Sequence, residues 1–87
     1  MKIKNNFILR QVAGSWIAMP VGDDSINIEG VLSLNDAGAF LWKCLENDCQ
    51  TEDLVRSLTQ EYDVDPQMAL NDVLEFKEKL HNFGCLE

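Results

Sequence analysis

A single histidine, His81, leaves little footing for the imidazole chemistry of general acid–base sites. By spacing it has no nucleophile or carboxylate partner. No two carboxylates stand out as an acid–base couple, and Glu52 and Asp53 read better as first-turn residues of a helix. A phosphate-cradling glycine loop and a metal-carboxylate motif are also missing. The chain is therefore expected to have no catalytic residues, no cofactor and no enzymatic activity. Apolar runs long enough to span a bilayer are lacking, and the first six residues lack the apolar run of a signal peptide. A cytoplasmic protein with no membrane partner is the expectation. Three cysteines are an odd number, which fits free thiols better than a disulfide framework. Cys44, Cys49, His81 and Cys85 form a Cys-x4-Cys and a His-x3-Cys, a donor set that zinc accepts. The first spacing is loose, however, and Cys44 falls in an apolar stripe, so no metal site is expected.

Basic residues are scarce as well. Seven stand against fifteen acidic residues, for a net charge of -8. The imbalance is not evenly spread. Residues 1–34 carry three basic and three acidic residues, whereas residues 35–87 carry four basic and twelve acidic ones. Such a balance repels phosphate backbones and excludes nucleic acid as the expected partner. What is present is apolar: 46% of the residues, enough for one small core and too much for disorder. One domain over residues 1–87 is expected, as a monomer or weak dimer.

Residues 7–12 are rich in β-formers, and Gly14 follows as the centre of a short turn over residues 13–15. Residues 16–20 read as the returning strand, ended by Pro20, which cannot donate to a ladder. After a polar loop, residues 26–34 read as a third strand with Gly30 as a bulge or a point of close backbone approach. At Asn35 the period changes. Leu34, Ala37, Leu41, Cys44 and Leu45 recur at helical spacing, and Asn35 offers a cap to the first turn. This helix is expected to end near residues 46–48. Thr51 reads as the cap of a second helix with Leu54, Val55, Leu58 and Tyr62 on one face. Asp65 and Pro66 open a third helix. Its stripe of Ala69, Val73, Phe76, Leu80 and Phe83 is closed by Gly84 in a left-handed cap. Three N-terminal strands followed by three helices make an α+β chain of the winged helix-turn-helix type.

Two features point outward. Residues 28–34 hold one acidic residue, no lysine and no proline, so the usual blocks on an open sheet edge are nearly absent. Leu70, Leu74, Lys77 and His81 form a mixed apolar and basic stripe beside the core stripe of helix three, a character suited to a partly polar partner.

Gly30, Leu34, Asn35, Gly38, Ala39 and Trp42 spell Gly-x-x-x-Leu-Asn-x-x-Gly-Ala-x-x-Trp. With Thr51-x-x-Leu-Val, Tyr62-Asp63-Val64, Asp72-Val73, Phe76 and a closing Gly-x-Leu-Glu from Gly84 to Glu87, the ordered set resembles the coenzyme PQQ synthesis protein D family, the PqqD-like RiPP recognition elements. The resemblance implies a non-catalytic adaptor that binds the leader of a ribosomally made precursor peptide for a maturation enzyme, often a radical S-adenosylmethionine enzyme, in natural-product biosynthesis. It implies strand addition to the third strand at Ile28, Gly30, Val31, Leu32, Ser33 and Leu34. Packing is then expected on Leu70, Val73, Leu74, Phe76 and Lys77 of helix three. Lys77 stands where the family commonly has an apolar residue, and so predicts an acidic ligand. The element order alone also admits an acidic winged-helix interaction module. A DNA-binding winged helix fits less well, because residues 51–81 hold eight acidic and three basic residues.

Overall fold

The computed structural model describes residues 1–22 and 30–87. Its elements are β1 (Phe7–Val12), β2 (Ser15–Pro20), β3 (Leu32–Leu34), α1 (Asp36–Cys44), α2 (Thr51–Glu61) and α3 (Pro66–Phe83). The expected order of three strands and three helices is therefore present. The three strands form one antiparallel sheet in the order β1-β2-β3.

Ala13 and Gly14 connect β1 to β2, both at positive φ (52° and 84°). Two such residues give the primed turn whose twist matches paired strands. The turn is thus one residue shorter than the sequence suggests, and Ser15 pairs with Val12 inside the ladder. The third strand is shorter than expected. Gly30, at φ 78°, bends the chain, and pairing with β2 begins only at Leu32. Gly30 therefore precedes the strand instead of bulging within it. Residues 26–29 of the expected strand, Ile28 included, lie outside the described residues.

Each helix start follows from a local cap. Asn35 accepts a hydrogen bond from the Gly38 amide at 2.7 Å and opens α1. Helix α1 ends at Cys44, earlier than the expected 46–48, with Leu45 as its cap. The second cap is Gln50, not Thr51, which is already helical. The Gln50 amide donates to the Asp53 carboxylate at 2.9 Å in a capping box, so the reach of Asp53 moves the boundary back by one residue. Asp65 caps α3 through the amides of Gln67 and Met68, with Pro66 in the first turn, and Gly84 closes it at φ 84°.

The core lies between the inner face of the sheet and the three helices. Phe7, Ala18 and Leu34 from the strands meet Leu41, Trp42 and Leu45 around α1, Leu54 and Leu58 of α2, and Val73, Phe76 and Leu80 of α3. Both ends of the chain close the structure. The Ile3 amide donates to the Leu45 carbonyl at 2.9 Å, the Lys4 amide to Cys85 at 2.8 Å, and the Glu87 amide to Lys2 at 2.9 Å. Among the described residues, no helix is long and apolar enough to cross a membrane.

Candidate functional site

Among the described residues, strand β2 is the middle of the sheet and β3 lies at an edge. Which of its backbone groups face outward follows from the hairpin. A two-residue turn makes Val12 and Ser15 a mutually hydrogen-bonded pair, and such pairs alternate along an antiparallel ladder. Ser15, Ile17 and Met19 therefore turn their backbone groups toward β1, and Trp16 and Ala18 turn theirs toward β3. Trp16 pairs with Leu34 and Ala18 with Leu32. Leu32 and Leu34 spend their donors on β2, and Ser33 points its N–H and C=O away from the sheet. Ser33 is exposed, and so is Val31, with 54% of its surface accessible.

Side chains alternate in the opposite sense. Leu34 is buried under the helices, and Leu32 is half-buried on the same face. Beyond Leu32 lies α3. Between the two runs an open groove of about 470 Å³, walled by Leu32, Glu75, Glu78, Lys79, Asn82 and Phe83. A smaller depression of about 200 Å³ continues it past the start of α1, where Asn35 and Gly38 face Asp72 and Phe76. Glu75 and Lys79 border both.

Of the strand residues expected at the site, Val31, Leu32 and Ser33 lie along this edge, Leu34 is core, and Gly30 is exposed at the bend before it. The helix residues divide. Phe76 lines the smaller depression, though it is 7% exposed. Val73 is sealed in the core at 0% exposure. Leu70, Leu74 and Lys77 do not line the groove. At about 100° per residue they lie on the opposite flank of the buried stripe, and Lys77 is roughly 160° around the helix from Lys79. The residues that do wall the groove, Glu75, Glu78, Lys79 and Asn82, gave no apolar signal in the sequence. Phe83 was visible as the end of the core stripe. Its ring packs edge-on to Phe7 at 5.6 Å and also borders the groove.

Cys44, Cys49, His81 and Cys85 do not converge. Cys85 is fully buried, with its thiol directed at the Leu80 carbonyl at 3.6 Å, and His81 is exposed. Burial pushes the Cys85 thiol from 9.0 up to about 11. Burial also raises Cys44, with a further push from neighbouring Cys49. The Cys49 thiol donates to the Cys44 carbonyl at 3.1 Å. Among the described residues, no group of three or more metal-ligating side chains comes together.

The family model for coenzyme PQQ synthesis protein D (PqqD) matches residues 25–86, which is most of the chain and includes the edge and the groove. The chain belongs to the PqqD family. No curated protein sequence matches it. Two similar solved structures share the PqqD-like fold. TbiB1 in complex with the TbiA(beta) leader peptide superposes with a TM-score of 0.78 at 23% identity, over 100% of this chain and 95% of that one. A lasso peptide synthetase B1 complexed with the leader peptide superposes with a TM-score of 0.74 at 20% identity, over 97% and 93%. At these identities the likeness establishes the fold. The α+β order read from the sequence is the order of this PqqD-like domain.

Proposed function

We propose that this chain is a non-catalytic adaptor that captures the leader of a ribosomally made precursor peptide and presents the precursor to a maturation enzyme, a radical S-adenosylmethionine enzyme in this reading. The observation that carries the proposal is the outward-facing backbone of Ser33 beside an open groove. A peptide laid along β3 hydrogen-bonds to the edge and sends alternate side chains toward α3. Val31, Leu32 and Ser33 supply the edge. Leu32, Phe76, Lys79 and Phe83 supply the contacts on the helix side. Membership of the PqqD family supports this, as do the leader peptides bound to the two proteins of similar fold.

A short strand docked in this way reaches micromolar affinity, about -8 kcal/mol. The gain for the enzyme is local concentration: a tethered substrate meets the active site as an intramolecular partner. The radical chemistry belongs to that enzyme. The test is a titration of the isotope-labelled chain with the synthetic leader of a precursor peptide encoded beside it. Amide shifts are expected at residues 31–34 and 75–83. Shifts confined to residues 46–62 would sink the reading.

A further inference from the structure

The groove is sorted by chemistry along its length. β3 and α3 cross it in opposite directions. Leu32 lines the larger groove, which reaches along α3 as far as Asn82 and Phe83, and Asn35, just past β3, lines the smaller one, which reaches back to Asp72. Phe83 and Glu75 are eight residues apart on α3, about 12 Å along the axis. That is the reach of about four residues of extended chain at about 3.3 Å each. The apolar side chains Leu32 and Phe83 gather at one end, and carboxylates run along α3 from Glu78, which also borders that end, to Asp72 at the other.

Among the described residues these carboxylates are unpartnered. Asp72, Glu75 and Glu78 are exposed along the groove side of α3. The two ion pairs among the described residues lie elsewhere, between the Met1 amino group and Asp48 and between Arg56 and Asp53. Lys79, the cation that borders the groove, pairs with none of the three carboxylates. Three carboxylates against one ammonium give this stretch a negative field, inside a helical half that is itself strongly acidic.

We propose, resting on the strand-addition reading, that the captured segment carries an apolar side chain for the Leu32–Phe83 end and a basic side chain for Asp72 and Glu75. The basic residue lies four positions from the apolar one, an even spacing that keeps both on one face of the added strand and spans the roughly 12 Å between the two ends. The apolar residue supplies burial beside Phe83. The basic residue sets register and direction along the edge, since reversing the peptide would carry its charge away from Asp72 and place it beside Leu32 and Phe83. Lys77, on the far flank of α3, takes no part, so the ligand is basic at this point and not acidic.

Selection of a short randomised peptide library against the immobilised chain tests this, with the Ser33→Pro variant as the counter-target. Enriched peptides should share an apolar residue with Arg or Lys four positions away. The best of them should bind Asp72→Lys/Glu75→Lys about five- to tenfold more weakly, and added salt should narrow that difference. Lys79→Glu should bind the same peptides as well as or better than the parent. Enrichment of acidic or uncharged residues at that position, or equal binding to the double variant, overturns the charge assignment. Amide shifts with the best peptide separate that failure from failure of the parent reading. Shifts at residues 31–34 leave strand addition standing. Shifts elsewhere, or no enrichment over the Ser33→Pro counter-target, overturn both.

Discussion

Asn35 shows how much a single residue settles. Its side chain accepts the Gly38 amide at 2.7 Å, and a Cβ on Gly38 would sit 3.1 Å from that same oxygen and 3.3 Å from the Leu34 Cβ. Cap and glycine therefore form one unit at the junction of β3 and α1. Asn35→Ala should lower stability by about 1 kcal/mol, the usual value of a cap, read as a lower midpoint in urea with an unchanged slope. Cys85 acts at the same scale through its proton. Its folded value of about 11 lies above the ordinary 9.0, so the folded state holds the proton where the unfolded chain has lost it. Stability is then fully present below pH 9 and declines as pH rises from about 9 to about 11. Urea midpoints measured across that range should fall, and fall less in Cys85→Ala. Cys44, raised in the same direction, adds to the slope.

At the scale of elements, the proposed site rests on β3 and α3. Parity within a strand of only three residues separates an outward donor from inward ones. Ser33→Pro should remove the outward N–H and leave the ladder to β2 intact, because an edge tolerates proline. The expected result is an unchanged far-ultraviolet spectrum, with peptide affinity at least about tenfold weaker, the loss of about 1.4 kcal/mol. Leu34→Pro removes a donor aimed at Trp16 and strips a buried side chain, so it should unfold the domain. Equal unfolding by both prolines would mean that the parity is wrong and that another segment covers the edge. On α3, a shift of two positions, from Lys77 to Lys79, carries a lysine from one flank of the buried stripe to the other.

The whole molecule is a small core closed by its own ends. Trp42 is its largest fully buried side chain, and it borders the same depression as Ile3, Phe7 and Leu9 of the N-terminal segment and β1. Trp42→Ala should cost about 3–5 kcal/mol. That is a large part of the roughly 5–15 kcal/mol available to a domain of this kind. Thermal unfolding followed by circular dichroism should show a collapse of the midpoint, or no cooperative transition at all. The negative charge gathered in the helical half adds self-repulsion at low ionic strength.

The sequence by itself determined the order of elements, because each boundary is a local event. Asn35, Asp65 with Pro66, and Gly84 act on amides and carbonyls within four residues of themselves. The change from strand to helical period at residue 35 needs no distant partner. The buried stripe of α3 was legible for the same reason: Ala69, Val73, Phe76 and Leu80 repeat at helical spacing whatever they pack against. The family followed from residues ordered along the chain. The sequence missed the flank of α3 that faces β3. Two flanks border any buried stripe, and the one with Leu70, Leu74 and Lys77 looked more like a binding surface than the one with Glu75, Lys79 and Asn82. Only the tertiary structure chose between them. The choice rests on the side of the stripe to which the sheet edge falls, and that is fixed by how α1 and the strands pack against α3, through contacts far apart in the chain.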